Sequence, residues 1–313
     1  MTNRRAFVKQ SLFASCAMLL QPSIKALQPP ASDIKISLAQ WSLHRTLKAG
    51  KLINSDFPDK ARKDFGIDAV DYVCQFFGDR KMDWRAAAAD KKYLAYLLQR
   101  SKDAGVYNHV VMVDEEGFLA LPNDKERLQA VNNHRKWVEA AAFLGCRSLR
   151  VNLHGSGATG DKRLASIDSL SRLGEFAAPM HVNIVVENHG SDSSKGQWMA
   201  AVVKGVNKPN VGTLPDFGNF CIAQEWGTTQ GDCADAYDRY KGIEEMLPYA
   251  KAVSAKTYDF DANGEQPKMD YKRLLDIVKA SGFKGYIGIE FEGFTQPEEE
   301  GVRKTKALLE RYL

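Results

Sequence analysis

Apolar runs and amphipathic stretches alternate along this chain of 313 residues. Eight short runs rich in β-branched residues occupy positions 34–42, 67–73, 109–114, 148–153, 182–189, 211–216, 253–258 and 286–292. Runs that are apolar at consecutive positions suit parallel strands buried on both faces. Between them, positions 90–104, 126–144, 164–180, 237–250, 271–280 and 301–313 carry apolar residues at three- and four-residue spacing, the period of a helix with one buried face. Gly66, Gly105, Gly145 and Gly282 stand where helices of this kind stop in a left-handed residue. Eight strand–helix units predict an α/β fold of the (β/α)8 TIM-barrel type, a single domain over residues 34–313. The competing architecture is an open doubly wound sheet, but the first strand–turn–helix lacks the GxGxxG that such sheets often carry there.

Composition narrows this picture. Hydrophobic content of 44% and charged content of 26% are those of a soluble globular chain with a sizeable core. The net charge of +4 is unevenly placed: Arg4, Arg5, Lys9 and Lys25 lie in the first 26 residues, which hold no Asp or Glu, and the rest is close to neutral. A neutral body offers no electrostatic reason to bind nucleic acid. Asn3 to Lys9 resembles the twin-arginine export consensus, and Leu12 to Leu20 is an apolar core too short to span a bilayer. The expectation is a signal peptide over 1–26, a Pro-containing linker over 27–33, and a periplasmic protein without stable membrane insertion after the signal is removed; a homo-oligomer stays open. Cys74 and Cys146 read as buried thiols, and no CxxC pair exists. Cys221 and Cys233 could pair in an oxidising compartment, a matter of separation that the sequence leaves open.

Two connections are long. One follows the third strand through Asp114-Glu115-Glu116-Gly117-Phe118; the other runs from Phe217 to Asp232 and contains Trp226. Loops of this length serve as lids or binding loops, or are surface insertions.

The candidate chemistry sits at strand ends. The fifth run ends in Glu187-Asn188-His189, the sixth in Pro215-Asp216-Phe217-Gly218-Asn219, the seventh reads Ser254-Ala255-Lys256, and the eighth Gly288-Ile289-Glu290-Phe291-Glu292-Gly293. The carboxyl ends of barrel strands share one face, so Glu187, Asp216 and Glu290 are expected to converge there. Three carboxylates held together repel, and a divalent cation with hard oxygen ligands, Mg²⁺ or Mn²⁺, relieves that.

In this arrangement the chain resembles the xylose-isomerase-like barrel superfamily of sugar isomerases and epimerases. VVENHG, LPDFGNF and GIEFEG occur in the family's order at barrel spacing. The resemblance implies one metal held by Glu187, Asp216 and Glu290, with Glu187 and Glu290 doubling as an acid/base pair that moves a proton next to a sugar carbonyl. The family's His-x-Lys on strand seven is Ser254-Ala255-Lys256 here, so a ligand histidine is missing while the lysine is kept. Either His189, Asn219 or a water completes the shell, or the Lys256 ammonium supplies the positive charge without a metal. Lys256 is a third candidate catalytic residue, able to polarise a carbonyl or orient a glutamate. His189, Asn219, Trp41, His44 and His154 are the candidate substrate contacts, with Trp41 and His44 as a sugar-stacking wall and Trp41 alternatively core.

Loop eight holds Glu298, Glu299 and Glu300, acids that repel phosphate, so an unphosphorylated sugar or glycoside is favoured. A sugar isomerase or epimerase leads the function classes. A lyase acting on a 3-keto-glycoside by β-elimination starts from the same carbanion. A non-catalytic carbohydrate-binding barrel is the alternative of another class. A multi-metal nuclease on the same barrel needs more histidines than the six present.

Overall fold

The computed structural model describes residues 33–313; the expected signal peptide and nearly all of the expected linker lie outside the described residues. The eight expected strands are present: β1 Ile34–Ala39, β2 Ala69–Val73, β3 Tyr107–Met112, β4 Ser148–Val151, β5 Asn183–Glu187, β6 Val211–Leu214, β7 Val253–Thr257 and β8 Gly285–Phe291. They form one parallel sheet in the order β6-β5-β4-β3-β2-β1-β8-β7. The two ends of that order meet through single bridges, Thr213 with Ala250 and Asp216 with Ser254. Ser254 N–H donates to Pro215 O and Phe217 N–H to Ser254 O, so the seam is stitched by backbone beside the candidate site. The architecture is that of a TIM barrel.

Several apolar runs outlast their strands. Strand one stops at Ala39, and Gln40–Leu43 turns into a 3-10 helix. Strands five and six stop at Glu187 and Leu214, short of His189 and Asp216. The reason is topological: past the ladder each chain must peel off toward its helix, and the residues that do so build the mouth.

The helices match the periodic stretches with shifted ends. Lys91–Asp103 starts where the Asp90 carboxylate accepts from the N–H groups of Lys92 and Tyr93, a cap that satisfies two orphan donors. Asp124–Leu144 begins at an Asn123 cap and ends at Gly145, whose φ of 75° is the left-handed stop that favours glycine. The stretch 237–250 is helical only over Arg239–Met246, then tightens to a 3-10 turn at Leu247–Tyr249, where Pro248 removes a donor. Four helices, His44–Lys48, Phe57–Phe65, Trp84–Ala87 and Gly196–Val206, escaped the periodicity reading. The first three are too short to repeat a period clearly, and in the last the buried face of Trp198, Met199, Val202, Val203 and Val206 is blurred by Ala200, Ala201 and Gly205 between.

Helices and strands share one continuous apolar core, in which Trp137, Tyr72, Phe57 and Phe217 are fully buried. No helix among the described residues is long and apolar enough to cross a membrane.

Candidate active site

Strand register sets the site. Lys256 on β7 pairs with Glu290 on β8, and Glu187 closes β5. Asp216 lies just past β6 and is drawn in by Asn188, whose Oδ1 accepts from Asp216 N–H at 2.7 Å while its Nδ2 donates to Asp216 O at 3.0 Å. One Asp216 oxygen, Oδ1, accepts from the N–H groups of Gly218 and Asn219. The other, Oδ2, accepts from Ser254 Oγ at 2.5 Å.

Glu187, Asp216 and Glu290 converge, each buried, each offering an oxygen within 4.8 Å of the others. Lys256 is threaded among them: its Nζ lies 3.1 Å from Glu290, 3.5 Å from Glu292 and 3.8 Å from Asp216, and it donates to Asn219 Oδ1 at 3.2 Å. Asn219 Nδ2 donates in turn to Glu187 Oε1 at 3.0 Å. A second cation, Arg150 on β4, bonds Asp114 Oδ1 at 2.5 Å and brings Nε to 2.9 Å from Glu187 Oε2.

Burial dominates the electrostatics. Removal from water pushes the Glu187 carboxyl well above the usual range; Arg150 opposes this, and the Glu290 and Asp216 charges add to it. Glu290 is pushed up to about 7, again chiefly by burial against the pull of Lys256. Burial also acts against the Lys256 ammonium, but Asp216, Glu290 and Glu292 outweigh it and hold the group well above its ordinary value. His189 is driven well below its ordinary value by burial, then by Arg150 and Lys256, so its imidazole is neutral.

The residues fit a hard divalent cation. The donors are carboxylate oxygens, Glu187 Oε2 accepts no hydrogen bond, and acidic groups outnumber the two buried cations. Ser254 occupies the place of the family's ligand histidine and serves the site differently, by tying Asp216 to the seam and lying 3.3 Å from Glu290 Oε2. His189 does not fill the gap; its Nδ1 is 3.1 Å from Asn152 Oδ1. Asn219 bridges Glu187 and Lys256 instead.

Above the carboxylates opens a cavity of about 230 Å³ lined by Trp41, Val73, Gln75, Asp114, Glu115, Arg150, His189, Trp226, Glu290 and Glu292. Trp41 lines this cavity and also packs against a small core cluster of Ala39, Val73, Val110 and Met112. His44 is not on that wall; it stacks behind Trp41 at 4.9 Å, with Nδ1 2.7 Å from Trp41 O and 3.6 Å from Glu298. His154 stands one layer back, its ring 4.9 Å from Trp226 and 6.0 Å from His189. Trp226 comes from the long loop after β6, which Cys221 and Cys233 close with a disulfide. That loop docks on the end of β5 at two glycines: a Cβ on Gly190 would meet Glu225 O at 1.9 Å, and one on Gly227 would meet Gly190 N at 2.4 Å.

The sequence reading missed Arg150 and left Asp114 and Glu292 without roles. Arg150 did carry a signal, a lone guanidinium in the middle of Ser-Leu-Arg-Val-Asn-Leu, where a strand buried on both faces has no use for charge.

The sequence pattern of the xylose isomerase-like TIM barrel matches residues 59–312. The chain belongs to that family. Similar solved members include D-psicose 3-epimerase, 11% identical with a TM-score of 0.65 over 89% of this chain and 99% of that one. The 3-keto-D-glucoside 4-epimerase YcjR of E. coli is 13% identical, with a TM-score of 0.61 over 90% of this chain and 99% of that one. At such identities the likeness is one of fold. A stretch of 49 residues is 39% identical to the C-glycoside deglycosidase alpha subunit of Arthrobacter globiformis, covering 16% of this chain and 14% of that protein.

Proposed function

We propose that this family member is a sugar isomerase or epimerase that moves a proton next to a carbonyl on an unphosphorylated sugar, by way of an enediolate. The observation that carries the reading is the meeting of Glu187 and Glu290, two buried carboxyls from opposite sides of the barrel seam, beneath one small cavity that Glu290 lines. Carboxyls raised toward neutrality are matched to proton transfer at physiological pH.

Glu187, Asp216 and Glu290 would hold a Mn²⁺ or Mg²⁺ ion, which supplies Lewis-acid polarisation of substrate oxygens when bound. The chain's own groups do the rest. Trp41 and Trp226 line the cavity that a sugar ring would enter. One glutamate removes the proton next to the carbonyl and the other returns one, with Lys256 holding Glu290 in place and Asn219 holding Glu187.

A lyase reading is favoured by one observation, the matched stretch shared with a C-glycoside deglycosidase subunit. The same carbanion expels an aglycone if a leaving group sits on the next carbon. Exchange in D₂O, followed by NMR over a panel of D-fructose, D-glucose and methyl 3-keto-β-D-glucoside, tests both. Deuterium uptake with an isomeric product supports the isomerase, release of methanol the lyase. Binding without exchange on any panel member returns the protein to the class of carbohydrate binders. Glu187→Gln and Glu290→Gln are each expected to abolish exchange with the fold intact. We extend the proposal to a periplasmic location, supported by the twin-arginine-like segment at Arg4-Arg5; cell fractionation before and after Arg4→Lys/Arg5→Lys tests it, with retention in the cytoplasm expected for the variant.

A further inference from the structure

Arg150 is buried at 3% exposure in the cavity wall. Its Nη1 is spent on Asp114, whose Oδ1 also accepts from Asn152 Nδ2 at 2.6 Å. Its Nε is not spent. It lies 2.9 Å from Glu187 Oε2, yet the N–H is not aimed at that oxygen, and neither atom makes a hydrogen bond with any described residue. The ion pair thus fixes Arg150 against Glu187 from behind, with both of these atoms closed to solvent, while the side chain of Arg150 still lines the cavity.

Lys256, the other cation, offers no comparable opening. Glu290, Glu292, Asp216 and Asn219 Oδ1 all stand within 3.8 Å of an ammonium with three protons. A carbon–hydrogen bond next to a carbonyl presents the complement of the Arg150–Glu187 pair: a proton to be accepted and, beside it, an oxygen to be donated to.

We propose that Arg150 is a catalytic residue whose guanidinium, set in the cavity wall, donates to the substrate's carbonyl oxygen and holds it as it becomes anionic. The inference rests on the enolisation reading. In the step, the C–H bond next to the carbonyl breaks and its proton goes to Glu187 Oε2. Its electron pair forms the C=C bond, and the C=O π pair moves onto the oxygen held by the Arg150 guanidinium. On return, the protonated Glu290 gives a proton to carbon, the C=O re-forms, and a proton passes from Glu187 back to Glu290 through solvent. Asp114 and Asn152 are positioning residues for the guanidinium.

The test pairs binding with rate. Arg150→Lys keeps the charge and removes the fork. Calorimetry with D-gluconohydroxamate, a planar mimic of the enediol, is expected to show affinity falling about 100-fold in the variant, while the non-planar D-glucitol binds as to the wild type. Deuterium exchange is expected to lose about 100- to 1,000-fold in kcat with little change in KM. Arg150→Ala supplies a second arm: guanidinium chloride restores part of its exchange, and an equal concentration of NaCl does not. Unchanged hydroxamate affinity and unchanged kcat in Arg150→Lys overturn the assignment, as does equal rescue by NaCl. A wild type that exchanges no panel sugar overturns the enolisation reading first, and the role of Arg150 with it; a wild type that exchanges while Arg150→Lys matches it overturns Arg150 alone.

Discussion

Ser254 Oγ donates to Asp216 Oδ2 at 2.5 Å across the seam where β7 meets the end of β6. A small hydroxyl thus stands where the resemblance calls for an imidazole, and it completes the barrel rather than a coordination shell. Ser254→Ala leaves a buried carboxylate oxygen short of a partner and is expected to cost about 1–3 kcal/mol in urea unfolding. A variant as stable as the wild type would show the bond to be dispensable.

The same carboxylate bears on the metal. Mn²⁺ titrated calorimetrically into the protein is expected to bind at one site, and Asp216→Asn to weaken it at least about tenfold, because a charged hard oxygen becomes a neutral one. Equal affinity in both proteins would place the ion elsewhere.

Gly190 and Gly227 let the Trp226 loop lie directly on the end of β5. Gly190 has φ 92°, and an added Cβ would run into Glu225 O, a backbone atom that cannot step aside. Gly190→Ala is therefore expected to lift the loop, costing about 1–3 kcal/mol and raising KM for the sugar while sparing kcat. The quenching of Trp226 fluorescence by iodide should rise in step. A KM and a quenching constant that do not move would separate the loop from substrate binding.

Cys221 and Cys233, twelve positions apart, close part of that loop. Reduction, or Cys233→Ser, is expected to remove about 2–3 kcal/mol of stability by freeing the unfolded chain. A melting temperature unaffected by dithiothreitol would show that the link is not formed or does not constrain the chain.

His134 is buried in the helix Asp124–Leu144 with Nδ1 2.8 Å from Ala130 O, and burial lowers its pKa below the ordinary 6.5. The folded protein then binds fewer protons than the unfolded chain just below that pH. The contribution is complete above 6.5 and is lost as pH falls toward the folded value, by up to about 1.4 kcal/mol per pH unit. Glu187 and Glu290, raised by burial, act in the opposite sense, losing stability as pH climbs above 4.5. Comparing wild type with His134→Gln isolates the histidine: the wild type's advantage is expected to shrink between pH 7 and pH 5. A difference independent of pH would contradict it.

The apolar runs and their spacing determined the barrel, because a parallel strand covered on both faces needs near-continuous Val, Ile and Leu, and β5 supplies Ile184-Val185-Val186. Strand order then put Glu187, Asp216 and Glu290 on one face, since every barrel strand ends there. What the sequence could not decide was where side chains turn after the ladder stops. His44 and His154 follow strand ends just as Trp41 and His189 do, yet they do not line the cavity. Arg150 became part of the site only because β4 and β5 lie side by side, Arg150 opposite Val185, which brings its guanidinium to Glu187. The pairing of Cys221 with Cys233 and the seating of Trp226 likewise depend on distances between segments, and distance is what folding adds to a sequence.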